Sequence, residues 1–317
     1  MSRQWLRKIG LTLTNGGTAL DLSQMHIRFN TTQMDLEECP FPRAEVTIFN
    51  LNPDTVKKIQ DEYTEVILQA GYEGGDFGVI FKGTITLIRT GRFNALDSFV
   101  QLAVADGDKA QFSVVAQSVK AGQTPAAVAK ALSKSTEVNG VKINPAGITG
   151  GVQYIRGKVL WGSAVARANE LAVSQGGTYS IIDGQLVFTP LQGYQPGDIV
   201  VLNTETGLIG VPEATIEGIQ FTSLLNSKIR LGQRVQINNK DINTTEARKA
   251  PTTQAVPLFA DVTADGVYRA VVVEHQGDTR GQEWYTTMTG LSLDGSAGQV
   301  SKLGYKGVPA KASTDSN

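Results

Sequence analysis

The sequence is poor in the residue types that catalysis and cross-linking most often use. Among 317 residues there are one cysteine and two histidines. The lone Cys39 excludes an internal disulfide and any cysteine-based zinc site within one chain. It stands between acidic Glu37-Glu38 and Pro40, neighbours that disfavour the reactive thiolate. His26 and His275 read as ordinary surface positions on a strand and at a strand end, so a histidine metal centre would need both of them plus carboxylates from distant segments. The Gly-x-Ser-x-Gly nucleophile elbow and both phosphate-cradling glycine fingerprints are missing despite 34 glycines, which therefore serve turns. Charge of one sign is missing too. Lys and Arg number 29 against 30 Asp and Glu, a net charge of −1, without the basic footprint of a protein that neutralises many phosphates. No run approaches the ~20 apolar residues of a membrane helix. Met1 to Leu13 mixes charged and apolar residues instead of showing a signal peptide's apolar core, so the expectation is a chain made and folded in the cytoplasm, without stable membrane insertion.

Carboxylate pairs are the chemistry hardest to exclude, because two suitably spaced acids suffice for glycoside hydrolysis. Asp35, Glu37, Glu38, Glu170, Glu213 and Glu217 are the candidates, and each reads as a solvated loop or strand-face group. Trp161 reads as the apolar anchor at the start of an amphipathic helix. In Trp284-Tyr285 the two side chains of a strand point to opposite faces, one core and one surface. Tyr72 and Phe77 flank Gly74-Gly75 and pack its turn. No catalytic, cofactor-binding or metal-ligating residue is expected.

What is present is β patterning. Apolar residues alternate at Ile9, Leu11 and Leu13, at Met25, Ile27 and Phe29, at Val46 and Ile48, at Val66, Leu68 and Ala70, at Ile85 and Leu87, and at Val100, Leu102 and Val104. Asn15-Gly16 suggests a type I′ hairpin turn, and Asn52-Pro53-Asp54 caps a short helix. After Phe112 the period changes. Thr124-Pro125 opens one helix, Val165, Ala168 and Leu171 continue the Trp161 stripe along a second that Gly176-Gly177 ends, and Asp183-Gly184 turns a hairpin. Strand patterns return at 199–202, 216–221, Ile229 and Leu231, Val235 and Ile237, 267–274 and 284–293. These divide the chain into a first β-barrel domain (1–112), a small α+β insert (113–190) and a second β-barrel domain (191–295). The polar stretch 238–254 reads as a long loop and 296–317 as a flexible tail.

The segment from Phe49 to Ile59, the strand that ends Ala70-Gly71-Tyr72 and the strand containing Ile80-Phe81-Lys82-Gly83 resemble, in that order, the baseplate hub proteins of contractile-tailed bacteriophages. Asn203 to Pro212, Ser223 to Val235 with its Leu224-Leu225-Asn226 turn, and Val271 to Trp284 continue the likeness, with Ser227 standing where many relatives have proline. The resemblance, to the two-barrel late-control and VgrG N-terminal-like group, spans about 46 to 293 by pattern reading. It implies a non-enzymatic structural protein. Three copies would form a ring adapting the six-fold tail tube to the three-fold central spike, with the tube or tube-initiator protein, the spike and the tape measure protein as partners. The virion tail would be its location, and it would need no cofactor and no sequence-specific nucleic acid. Gly71, Tyr72, Phe81, Gly83, Pro212, Leu225, Asn226 and Trp284 are then fold determinants. Partner contacts are expected in the polar loop, at Asn239, Lys240 and Asp241, and in the tail, at Lys302, Tyr305 and Lys306. Two other functions fit a tail protein: a peptidoglycan-cutting tail enzyme, and the spike base of a related secretion system.

Overall fold

The computed structural model describes residues 4, 6–35, 42–144, 148, 153–190, 193–215, 218–238 and 266–292. The chain is mainly β with a small α+β insert. Strands β1 (Arg7–Thr14), β2 (Ala19–Asp21), β3 (His26–Met34) and β4 (Arg43–Phe49) lead to helix α1 (Pro53–Glu62), then β5 (Glu65–Tyr72), β6 (Phe77–Arg92) and β7 (Ser98–Ala105). In space the order is β1, β5, β6, β7, β4, β3, with β2 a short flap on β1. Inward-facing Leu11, Ile27, Val46, Leu68, Phe81 and Leu102 share one core. Each fully buried aliphatic side chain of this kind stabilises by about 1.5–3 kcal/mol. α1 starts where the Asn52 side chain accepts the Asp54 amide and Pro53 presets the first helical φ, and it seals the core with fully buried Ile59.

The final third repeats this plan. Strands β8 to β12 belong to the insert, at Val114–Val119, Lys142–Asn144, Lys158–Ser163, Gly177–Ile182 and Gln185–Pro190 in the order β8, β9, β10, β11, β12. Beyond them β13 (Val200–Leu202), β14 (Leu208–Thr215), β15 (Gly218–Leu224), β16 (Arg234–Ile237), β17 (Val267–Asp278) and β18 (Trp284–Ser292) are ordered β13, β16, β17, β18, β15, β14. Leaving the β2 flap aside, both halves therefore run first, fourth, fifth, sixth, third, second. One pairing differs in sense: β1 meets β5 antiparallel, whereas β13 meets β16 parallel. Leu202, Phe221, Val235, Val273 and Met288 form the second core.

One strand stitches the halves together. The start of β17 pairs with β16, through Arg269 opposite Arg234, and its end pairs with β3 from Val272 opposite Met34 to Asp278 opposite Arg28. The change of partner falls at Val271, where the β17–β18 register shifts and the Val271 carbonyl accepts the Asp35 amide at 2.8 Å. A strand twists most at such a bulge, which lets β17 leave one curved sheet and enter the other.

The insert joins the repeats. A 3₁₀ turn (Asp108–Phe112), α2 (Pro125–Glu137) and α3 (Ala164–Ser174) pack on the β8–β10 pair and on the three-stranded β11, β12, β9 sheet. Their core includes Val115, Val128, Leu132, Leu160, Ala168, Leu171, Ile181 and Leu186. α2 begins at Thr124, whose hydroxyl accepts the Ala127 amide, with Pro125 in the first turn. At the β11–β12 turn Asp183 and Gly184 both have positive φ, 51° and 76°, as a two-residue type I′ turn requires.

Three local expectations are corrected. Asn15-Gly16 is not a type I′ pair. β1 and β2 are joined by the four residues 15–18, Gly16 alone takes the positive φ (86°), and Asn15 Oδ1 instead accepts the Gly17 and Thr18 amides at 3.0 Å. Ile229 and Leu231 are buried in turns, not in a strand: Asn226 accepts the Lys228 amide and folds the backbone back. Trp161 does not anchor a helix. It lies on β10, 72% exposed, and α3 begins three residues later with Ser163 as its cap.

Candidate functional site

Buried polar groups concentrate where the two repeats and the insert meet. Asp35 follows β3, and its Oδ1 accepts the hydroxyls of Thr178 at 2.8 Å and Ser180 at 2.7 Å, both from β11. Its Oδ2 faces Arg269 Nη2 of β17 at 3.8 Å, while Arg269 Nη1 donates to the carbonyls of Pro190 at 2.7 Å and Gly193 at 3.3 Å. Asp35 and Arg269 are each 1% exposed. A buried charge persists only when paired and hydrogen-bonded, so this arrangement fixes the insert against both repeats. Asp35 was expected to be solvated; the crossing of β3, β11 and β17 closes over it.

A second tie holds the tip of the insert. Asp106, just beyond β7, accepts the Gly184 amide at 3.1 Å, and Arg230 spans from Asp183 Oδ2 at 2.7 Å to the Val79 carbonyl at 2.9 Å. Burial pushes the Asp106 carboxyl up to about 6, against the pull of the Gly184 amide. The third tie lies at the β17–β18 turn. Asp278 Oδ1 accepts His26 Nε2 at 2.8 Å and the Arg280 and Gly281 amides at 2.9 Å, and Oδ2 accepts Arg28. Burial alone would raise this carboxyl, but the Arg280 amide, the His26 ring, the Gly281 amide and Arg28 outweigh it and hold it at about 2. Arg7 reaches the same turn, donating to the Gly281 and Gln282 carbonyls and lying over Trp284 at 5.6 Å.

The two histidines are thus not ordinary surface groups. His26 stacks on Phe49 with ring centroids 4.4 Å apart and pairs with Asp278, and His275 is 1% exposed with Nδ1 2.8 Å from Thr286 Oγ1. Burial, helped by Arg230, lowers the His275 pKa to about 4. Among the described residues no group of three or more metal-ligating side chains comes together. Glu170 pairs with Arg167 on the surface of α3, and Glu213 is exposed on β14. Glu37, Glu38, Cys39 and Glu217 lie outside the described residues. A cleft of ≈ 680 Å³ runs between the repeats, lined in part by Gly78, Val201 and Arg230, and across its wall Lys228 bridges to Asp76 at 2.7 Å. These charged groups are bound to one another, which is the chemistry of a fixed joint.

Opposed buried titrations give this joint a pH signature. Below 6.5 the unfolded chain protonates His275 while the folded chain resists until about 4. That costs stability on acidification, on the order of 3 kcal/mol. Asp106 has the opposite sign: the folded state binds its proton near 6 and the unfolded state only near 3.8. Folding therefore gains by a similar amount, on the order of 3 kcal/mol, over the same fall in pH. Urea midpoints of the wild type are expected to change little between pH 6.5 and 4.5. His275→Gln should become more stable on acidification and Asp106→Asn less stable; equal pH slopes for all three proteins would contradict the assignment.

The residues of the family resemblance occupy three places. Gly71 and Gly83 allow close backbone approach: a Cβ on Gly71 would stand 1.9 Å from the Asp76 carbonyl oxygen, and one on Gly83 2.5 Å from that of Ala105. Tyr72 and Phe81 are buried beside them, and burial pushes the Tyr72 hydroxyl up to about 12. Leu225, Asn226 and Trp284 lie at the joint, where Leu225 and Trp284 enter the core of the first repeat and the Asn226 amide donates to Thr286 Oγ1 at 3.0 Å. Pro212 is buried in β14, within the register shift against β15. Tyr285 is half-buried, as the alternation of Trp284-Tyr285 implied. Asn239, Lys240, Asp241, Lys302, Tyr305 and Lys306 lie outside the described residues. Sequence reasoning missed Arg269, although a lone charge within Val267 to Val273 is a signal of a buried partner; Asp106 and Asp278 carry no comparable mark.

Solved structures share this architecture. The tail protein from Neisseria meningitidis MC58 superposes with a TM-score of 0.56 at 11% identity, covering 92% of this chain and 98% of that one. The 43 kDa tail protein of prophage MuSo2 from Shewanella oneidensis superposes with a TM-score of 0.57 at 9% identity, covering 91% and 99%. At such identities the likeness establishes the fold. No curated protein sequence matches the chain significantly. The family model described as baseplate hub gp41 matches residues 42–246, a stretch that runs from β4 through the insert to the end of β16 and beyond, and the chain belongs to that family.

Proposed function

We propose that this chain is the structural hub of a contractile phage-tail baseplate, a non-enzymatic protein that three copies assemble into a ring between the six-fold tail tube and the three-fold central spike. The observation that carries this reading is the repeated strand order. Each chain has two units of matching path, so three chains present six similar units to a six-fold neighbour while keeping three-fold symmetry toward the other. The insert, bounded at 113 and 190, then lies between two barrel domains, and the buried ties at Asp35 and Asp106 set its angle. Partners on this reading are the tail tube or tube-initiator protein, the central spike and the tape measure protein. Assembly takes place in the host cytoplasm, and the product is carried in the virion. Gly71, Tyr72, Phe81, Gly83, Pro212, Leu225, Asn226 and Trp284 act as fold determinants.

The test is the native mass of the purified chain, alone and mixed with the spike protein of the same genome. A species of three times the 33.9 kDa monomer is the expected result. A monomer in both samples at micromolar concentration would remove the ring and leave only the fold.

A further inference from the structure

The two repeats match residue by residue along their fifth strands, β6 and β17. β6 parts from β5 at Thr84, opposite Glu65, and β17 parts from β16 at Arg269, opposite Arg234. Two residues on, each bulges against its hairpin partner, at Thr86 and at Val271. Each then runs to the end of its hairpin, where Arg92 faces Ser98 and Gly277 faces Trp284. Leu87 to Phe93 is therefore the counterpart of Val272 to Asp278. In β17 that stretch pairs with β3 of the other repeat and forms the junction inside the chain. In β6, on the side away from β7, it pairs with no strand among the described residues.

This open side presents a row of backbone donors and acceptors. The Ser98 carbonyl accepts the Asn50 amide on the β4 side, so Ser98 and, by alternation, Val100 and Leu102 turn their backbone polar groups toward β4. The residues facing them across the hairpin, Arg92, Thr90 and Ile88, turn theirs to the open edge. Such an edge is a template for another strand.

The second repeat holds the complementary edge. Its counterpart of β3 is β14, the last strand in its direction, whose outer side from Ile209 to Glu213 meets no described strand. Asn30 of β3 faces Glu45, which faces Ala103, and Glu213 of β14 faces Gln220, which faces Thr289. Ala103 and Thr289 in turn face Leu87 and Val272, so Asn30 and Glu213 hold the same place. Carrying the β3–β17 register over sets Gly91 opposite Glu213, Arg89 opposite Thr215 and Phe93 opposite Ile209. Gly210 to Pro212, which stand where β3 has Phe29 alone, fall at the rung of Arg92. This register joins two exposed apolar side chains, Phe93 at 60% and Ile209 at 38%, and sets exposed Arg89 diagonal to exposed Glu213.

We propose that the open stretch of β6 in one copy pairs antiparallel with β14 of the next, repeating between chains the β17–β3 junction found within one. It rests on the ring reading above and says how the ring closes: junctions of one kind, alternately within and between chains, join every repeat to the next.

Sedimentation and cross-linking test it. Thr90→Pro removes an amide that points to the open edge and not to β7, a position where a strand tolerates proline. It should keep the wild-type circular dichroism and weaken assembly at least ~30-fold, the scale of an interface hot spot. In a Cys39→Ser background, Arg89→Cys and Glu213→Cys place thiols on backbone positions about 7–8 Å apart across the junction, and a short bismaleimide should join them into covalent dimers and trimers. Within one chain β6 and β14 are separated by six strands, so the link reports two chains. Arg89→Cys with Ile209→Cys, offset by about 13 Å along the strands, should stay unlinked. A trimeric wild type in which Thr90→Pro remains trimeric, or in which the Arg89→Cys/Glu213→Cys protein remains unlinked, overturns the junction and leaves the ring standing. A wild type that is monomeric or dimeric, alone and with the spike protein, overturns both.

Discussion

Arg269→Met is expected to destabilise the protein by about 3–5 kcal/mol, the cost of breaking a buried charged pair from one side. The substitution keeps most of the side-chain volume, so the loss reports charge and hydrogen bonding and not a cavity. The carbonyls of Pro190 and Gly193 lose the Arg269 guanidinium, Pro190 keeping only the Gly193 amide, and Asp35 faces an apolar thioether in its place. Asp35→Asn should cost less, because the amide oxygen still accepts the Thr178 and Ser180 hydroxyls. The double variant should recover part of the Arg269→Met loss, since its buried pair is removed as a unit. Urea unfolding of the four proteins gives the coupling energy. A coupling near zero would mean that the 3.8 Å approach of Asp35 and Arg269 contributes nothing, and that the insert is held by its apolar contacts alone.

How much of this was legible in the sequence follows from what periodicity encodes. Alternation marked Leu11, Ile27, Val46, Leu68 and Leu102 because each strand buries one face, and that is a local property. Pro125 behind Thr124, and Asp183-Gly184, were equally legible, since caps and type I′ turns are chosen by the residues that form them. Strand order is not local. Nothing in the apolar pattern of β17 says that it leaves β16 for β3 at Val271, so the repeat of the two strand paths, the strongest support for the function proposed, emerges only in three dimensions. The misreadings have the same origin. Trp161 fits a helical stripe with Val165 and Ala168 by spacing, but the pairing of β10 with β8 overrides it and turns the indole outward. Asp35 just beyond β3 and His275 on β17 are polar residues that their own segments do not mark as buried; their partners Thr178, Ser180 and Arg269, and Thr31, come from other units.

Trp284→Ala should cost about 3–5 kcal/mol, as aromatic truncations in a packed core do, and the loss should extend to the first repeat although Trp284 belongs to the second. The indole opens β18 opposite Gly277, meets Phe29 of β3 edge-on at 5.5 Å, and with Leu225 completes the core formed by β1, β3, β4, β5, β6 and β7. Its N–H has no acceptor among the described residues, so Trp284→Phe removes a buried donor that they leave unsatisfied, along with some volume. That variant should lose less than about 1.5 kcal/mol. Because the first repeat's core takes Leu225 and Trp284 from the second and β17 pairs with β3, urea unfolding followed by far-ultraviolet circular dichroism and by tryptophan fluorescence should give one coincident transition for the wild type. In Trp284→Ala both repeats should still unfold together, at lower urea. Two resolved transitions in the wild type would show that the first repeat holds its core without Trp284 and that β17 joins two independent bodies.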